Sequence, residues 1–260
     1  MQPQPISPAD VEHFRGEGYL VRQEFSPVEA TALRRMVSVL LTAPTFPNAR
    51  ITAHRALEEP DQTRFPTNPY ATYHVVNTVL AGDEWLALMA DDRLLDSVAE
   101  LIGPAIDLDM SFLRMRPPGL RMDAPWHRDA DTDAFDDGRA VTALIYPYAI
   151  RADSGSTRVI PATRGYSHQD LESQGVTVEE LERASVAIEV PAGAVLYLSP
   201  TVVHRGDWNR TTDDSGVIAF EYRAEGNRRQ SPANGEDLAL ADLPVARPGW
   251  RFAPPTLWIP

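Results

Sequence analysis

Hydrophobic residues recur at two different periods along this chain. Up to about residue 104 the spacing is helical. Leu33, Met36, Val37, Leu40 and Leu41 fall on one face, behind Ser26-Pro27-Val28-Glu29, which has the form of a capping box. Ser7-Pro8 places a cap and a first-turn proline before DVEHF, and Gly18 ends that helix ahead of Tyr19-Leu20-Val21. The helical pattern returns from Asp83 to Ile102, through Leu94, Leu95, Val98 and Leu101, until Gly103-Pro104 stops it. Between Pro44 and about His74 neither period holds. That stretch is rich in Pro, Thr and Arg and reads as a long loop, of the kind that serves as a lid or stays unstructured.

From Ile106 the period becomes two. Ile106, Leu108, Met110 and Phe112 alternate with Asp107, Asp109 and Ser111, the mark of a half-buried strand. Further strands are expected over 140–149, 158–161, 184–190, 194–204 and 217–223, with a short helix opened by Thr177-x-x-Glu180 and a turn at Pro191-Ala192-Gly193. Short strands at this spacing predict a sandwich or barrel. Trp250, Phe252 and Trp258 are expected to dock parts of the Pro-rich tail on the core. Neither a repeat nor a linker divides the chain. One domain over 1–260 is therefore expected, with a helical part over about 1–104, a β core over about 105–225 and a docked tail over 226–260.

Composition narrows the function. With 260 residues and 43% hydrophobic content the chain can build one large core. The net charge of −13 repels a phosphate backbone or an anionic membrane, so nucleic acid and membrane surfaces are not expected partners. The absence of cysteine removes disulfides, thiolate ligands and a thiol nucleophile. No apolar run reaches the roughly 20 residues of a membrane span. MQPQPISPADVEHF lacks the basic and apolar regions of a signal peptide, and a cytoplasmic protein is expected.

Candidate chemistry rests on three residues. In APWHRDADTDAF, His127 and Asp129 are two apart, so on an extended segment both side chains share a face. A short acidic segment of this kind is also a common solvated turn. His204 ends an apolar run, Ala194-Val195-Leu196-Tyr197-Leu198 and then Thr201-Val202-Val203, and should point into whatever the sheet encloses. A core histidine would read the same way. Together, two imidazoles and one carboxylate match the facial triad of non-haem Fe(II) oxygenases. Zinc in a His₂-carboxylate site is the competing chemistry, but its familiar motif puts both histidines on one helix, and no such pair occurs here. His13 is expected on a helix surface and His168 in a loop.

Four blocks then resemble one family. SPADVEHFRGEGYLVRQEFSP is similar to the opening helix and Gly-Tyr strand of the phytanoyl-CoA dioxygenase family of Fe(II)/2-oxoglutarate oxygenases. FLRMRPPGLRMDAPWHRD resembles its approach to the metal motif, SGSTRVIPATRGYSH its following strand and turn, and GAVLYLSPTVVHRGDWNR the segment of the distal histidine. The resemblance covers most of the first 225 residues. It implies a mainly β protein with flanking helices, built as a double-stranded β-helix of the jelly-roll, cupin-like type. It also implies that His127, Asp129 and His204 are both the iron ligands and the catalytic centre, with 2-oxoglutarate and O₂ as co-substrates. The implied reaction is hydroxylation or a related C–H oxidation of a small molecule in secondary metabolism. Halogenating members of the family lack the carboxylate, so Asp129 argues against halogenation.

The resemblance breaks at the co-substrate. The family binds the distal carboxylate of 2-oxoglutarate with an arginine a short way after the distal histidine, at the position of Ser215, and favours a small hydroxyl at the position of Gly206. A dianion inside a barrel requires a fixed cation, best a guanidinium. Arg114 continues the parity of Leu108, Met110 and Phe112 and is the first candidate, with Arg210 and Thr142 as further co-substrate contacts and Arg116 and Arg128 in reserve. Three functions stay open: the 2-oxoglutarate-dependent oxygenase, an iron oxygenase whose substrate supplies all the electrons, and a cupin-like metal isomerase or binding protein. Arg50, His54, Arg55 and Arg64 suit either an anionic substrate or a solvated loop.

Overall fold

Ser7 and Ser26 open helices as their sequences predict. Each hydroxyl accepts the amide of the third helical residue, and Asp10 and Glu29 reach back to the capping amides, in a computed structural model that describes residues 5–43, 45–55, 72–118, 125–129, 139–161 and 177–225. The first helix, α1 (Pro8–Glu17), ends where Gly18 turns left-handed and leads into β1 (Tyr19–Gln23); α2 (Pro27–Thr42) follows. The strands β2 (Thr52–Arg55) and β3 (Thr72–Val76) come next, then a 3₁₀ turn, α3 (Asp83–Met89) and α4 (Asp92–Ile102). The remainder is β4 (Ile106–Met115), β5 (Ala140–Ile145), β6 (Thr157–Val159), α5 (Val178–Ala184), β7 (Val186–Ala187), β8 (Ala194–Leu198), β9 (His204–Gly206) and β10 (Gly216–Ala224).

The strands form two antiparallel sheets. The main sheet has the order β1-β8-β5-β10-β4-β3-β2 and the small one the order β7-β6-β9. Alternation on each central strand feeds two cores. On β8, Val195 and Tyr197 join the helices in a core with Leu33, Leu88, Leu94 and Val98, while Ala194, Leu196 and Leu198 point the other way. Those three meet Leu144, Val159, Ile188, Val217 and Ala219 in a second core between the sheets. The functional residues open from that second layer.

A buried ionic network pins the helices to the sheet. Arg93 on α4 donates to both carboxylate oxygens of Asp91 and to Glu29 Oε1, each at 2.8 Å, and to the Glu24 carbonyl at 3.0 Å, with its guanidinium over the Phe25 ring. Glu24 in turn accepts from Arg22 at 2.8 Å and from Ser97 and Tyr197 at 3.1 Å. Such charges tolerate burial only when fully paired. At the far turn, Gly193 has φ +88°, and a Cβ there would collide with the Phe25 carbonyl, so only glycine fits.

Several expected boundaries change. The N-terminal part is not helical throughout, since β1, β2 and β3 supply three strands of the main sheet. Two of them lie in or at the end of the stretch expected to be an irregular loop, because Thr52-Ala53-His54-Arg55 and Thr72-Tyr73-His74-Val75-Val76 mix polar and apolar residues without a clean period. The strand expected over 194–204 is two strands in different sheets. It breaks where Ser199 and Pro200 turn the chain, with Val202 N donating to Ser199 O at 3.1 Å. The strand expected over 184–190 shrinks to β7, since Ser185 caps α5; Ile188 and Val190 still bond across, to the carbonyls of Thr157 and Ile150. The strand expected over 140–149 ends at Ile145, shortly before Pro147. A bulge opposite Glu221 and Tyr222 turns Leu108 toward the helices, so it does not share the face of Phe112. The tail, including Trp250, Phe252 and Trp258, lies outside the described residues, as do His168 and Arg64.

Candidate metal centre

His127 and His204 are joined through their backbones. His127 N donates to His204 O at 3.0 Å and His204 N to His127 O at 2.9 Å, an isolated antiparallel bridge that carries the strand line of β9 onto the HRD segment. The imidazole centroids are 4.3 Å apart. Asp129, two residues on, presents Oδ1 at 3.9 Å from the Nε2 atoms of both histidines. One ligand atom from each of the three residues lies within 4.8 Å of the others. The sequence-predicted triad is brought together. His13 lies exposed on α1 against Tyr19, and His74 packs edge-on to Phe112.

The tautomers are set locally. His127 Nδ1 lies 2.9 Å from the Pro125 carbonyl and His204 Nδ1 3.1 Å from the Val202 carbonyl. A carbonyl only accepts, so each neutral ring carries its proton on Nδ1 and leaves the Nε2 lone pair facing Asp129. Burial, then the neighbouring His204 and Arg114, push the His127 pKa down to about 4 against the opposing pull of Asp129. Burial and Arg114 likewise hold His204 at about 4. His127 keeps 37% of its side chain exposed, so His204 is the better shielded of the two. Both present lone pairs at neutral pH.

Trp126 fixes the motif from below. It is buried with Ile160, Leu181 and Val203, and the Arg205 guanidinium stacks 4.9 Å from its ring while reaching Glu182 at 3.2 Å. The sequence reading passed over it. The signal was present, a large aromatic directly before the ligand histidine, but nothing in the sequence says which strands it packs against.

The candidate co-substrate residues separate. Arg114, on β4, is near enough to both imidazoles to lower their pKa and stands 5.9 Å over the Phe112 ring. Thr142 is buried on β5, paired in register with Leu198 and Glu221. Arg210 lies at the rim, with 49% of its side chain exposed, bound to Asp207 at 3.6 Å and stacked on Trp208. Arg128 is half-buried within the motif. Arg116 is 4% exposed and runs between the sheets to the Gly155 carbonyl, 2.8 Å from its Nη1. Ser215 is fully buried.

Two imidazole nitrogens and a carboxylate oxygen, gathered on one side, fit a divalent transition metal and leave its other side to outside ligands. The profile of the phytanoyl-CoA dioxygenase family matches residues 14–215. Among curated proteins none matches the chain significantly. Among solved structures, EctD from S. alaskensis with bound Fe superposes with a TM-score of 0.72 at 22% identity, covering 97% of this chain and 85% of its own. The non-heme alpha ketoglutarate dependent carbocyclase SnoK from nogalamycin biosynthesis gives 0.69 at 17% identity, with 85% and 87% covered. AviO1 from Streptomyces viridochromogenes Tue57 gives 0.66 at 18% identity, with 88% and 99% covered. At these identities the structures speak for the fold, which is the double-stranded β-helix expected from the sequence. With a histidine–aspartate–histidine cluster at its centre and a profile match spanning most of its length, the chain belongs to the phytanoyl-CoA dioxygenase family.

Proposed function

We propose that the protein is an Fe(II)- and 2-oxoglutarate-dependent oxygenase that oxidises a small molecule, by hydroxylation or a related C–H oxidation, in secondary metabolism. The observation that carries this reading is the convergence of His127 Nε2, His204 Nε2 and Asp129 Oδ1, with both imidazole protons tied to carbonyls on the far side. Support comes from relatives whose descriptions name the same chemistry, EctD with 2-oxoglutarate and 5-hydroxyectoine, and SnoK from nogalamycin biosynthesis.

Iron bound here would activate O₂ with 2-oxoglutarate as the electron source, one oxygen atom ending in succinate and the other in the product as carbon dioxide leaves. The chain's own residues do the rest. Neutral His127 and His204 would hold the metal through nitrogen, and Asp129 would balance part of its charge and leave no vacancy for a halide in its own place. Backbone hydrogen bonds between His127 and His204 hold the two rings at a fixed separation before any metal arrives. Leu144, Val159, Val217 and Ala219 wall the inter-sheet space and keep bulk water from it.

The test is an anaerobic Fe(II) titration with and without 2-oxoglutarate, followed by succinate measurement in air. Chelation by 2-oxoglutarate should produce a visible charge-transfer band, and turnover should release succinate. A protein that binds Fe(II) but gives neither band nor succinate is not this enzyme. Substrate-dependent O₂ uptake without succinate would indicate an oxygenase drawing its electrons from the substrate alone.

A further inference from the structure

Ser215 and Arg116 face each other across two strands. Arg116 N donates to Ser215 O at 2.8 Å, and the register next to it pairs Gly216 with Met115. Directly opposed residues on neighbouring strands share a sheet face, so the guanidinium and the Ser215 hydroxyl project to the same side. That is the side of Arg114, Val217 and the inter-sheet core.

The Arg116 side chain crosses to the small sheet and lies against Gly206. A Cβ at Gly206 would collide with Nη2 and stand 2.8 Å from Cζ. Gly206 is two residues beyond His204 on β9, hence on the same face and about 6.5–7 Å along the strand. The guanidinium is deeply buried, yet Nη1 donates only to the Gly155 carbonyl and Nε has no hydrogen-bond partner. Among the described residues no carboxylate is within ion-pair distance of it. The Ser215 hydroxyl beside it is buried without a hydrogen-bond partner as well. Asp207 attracts it only from beyond ion-pair distance, so a buried cation with one neutral hydrogen-bond acceptor, next to an unsatisfied hydroxyl, is a costly arrangement that an anion would resolve.

We infer that Arg116, reaching over Gly206 and joined by Ser215, is the anchor for the distal carboxylate of the co-substrate, a role taken over from the neighbouring strand. The inference rests on the oxygenase reading above. It accounts for two departures with one residue: an arginine at 215 is unnecessary because Arg116 arrives from the opposing strand, and a side chain at 206 would push the guanidinium out of the place it fills. It also displaces Arg114. Arg114 acts electrostatically on both imidazoles of the triad, which puts it near the triad itself. A distal carboxylate would lie about one dicarboxylate length from the triad, and Arg116 lies against Gly206, two residues along the strand from His204. Tyr146 borders Arg116, its phenol bonded to Thr157 at 2.9 Å, and adds a protonated wall to the niche.

The test compares 2-oxoglutarate with 2-oxopentanoate, equal in length but lacking the distal carboxylate, on protein loaded with redox-quiet Mn(II), by calorimetry. Wild type should prefer the dicarboxylate by roughly 30-fold or more, the loss expected when a buried charge-paired partner is removed. In Arg116→Met that preference should vanish while Mn(II) affinity stays unchanged. Arg116→Lys, which keeps a buried cation and so guards against a folding defect, should retain part of it. The metal-free Arg116→Met protein should melt no lower than wild type, because an under-paired buried charge has been removed. Undiminished preference in Arg116→Met, or a clearly lowered melting point, would overturn the inference and make the residue structural. A wild type that shows no preference between the two acids would instead overturn the 2-oxoglutarate reading itself.

Discussion

His127 and His204 hold each other by main-chain hydrogen bonds, independently of what their rings bind. The bridge survives truncation of either side chain. His127→Ala, Asp129→Ala and His204→Ala should each abolish turnover and weaken Fe(II) binding by orders of magnitude, yet leave the circular dichroism spectrum intact. Near wild-type oxidation by Asp129→Ala would remove the carboxylate from the metal centre. Fe(II) should support activity, and Zn(II) or Co(II) should bind and inhibit.

Acid should destabilise the metal-free protein in a defined window. An unfolded histidine takes up its proton near pH 6.5, whereas folded His127 and His204 resist protonation until about pH 4. Between those values the unfolded state binds more protons, so stability falls as pH falls. Above pH 6.5 these two groups contribute no slope. Thermal melts of the metal-free wild type and of His204→Gln between pH 4 and 8 measure it: the wild type should show the steeper acid limb. Equal slopes would mean that His204 titrates normally.

Trp126→Ala should cost about 3–5 kcal/mol of stability, the usual range for deleting a buried large aromatic. It should also loosen the metal site, because the ring sits one residue before His127 and ties it to Ile160, Leu181 and Val203. Trp126→Phe should restore most of the stability. Denaturant unfolding together with a metal titration separates the two effects; an unaffected metal affinity would confine Trp126 to packing.

Arg93→Met should destabilise by about 3–5 kcal/mol, since it strands Asp91 and part of Glu29 in the interior. The site lies in the other core layer, so metal affinity in the folded fraction should be unchanged. A loss below about 1 kcal/mol would place Arg93 with ordinary surface pairs.

What the sequence made legible follows from how local each signal is. Capping boxes at Ser7, Ser26 and Thr177 are complete within four residues, and all three helices start there. His127 and Asp129 share a face because two residues separate them, and that too is local. The partnership of Arg116 with Ser215 is not local: it depends on the register of β4 against β10, which no stretch of either strand contains. The parity argument for Arg114 ran through Leu108, and the bulge beside Tyr222 breaks that parity. The strands in the 44–74 stretch were hidden for a related reason. β3 takes its place from β4, through pairs such as His74 with Arg114, and β2 from β3 in turn, not from their own composition.

The pairing of Tyr19 with Leu198 has a consequence for how the molecule comes into being. Among the described residues β1 borders β8 alone, so the first described strand finds its sheet neighbour only in one of the last. Contacts between segments so far apart in the chain are slow to form. Tyr19–Gln23 is thus an edge strand whose sheet partner comes late in the sequence, and its charged Arg22, salt-bridged to Asp10 and Glu24 in the folded protein, is the kind of side chain that discourages wrong strand partners.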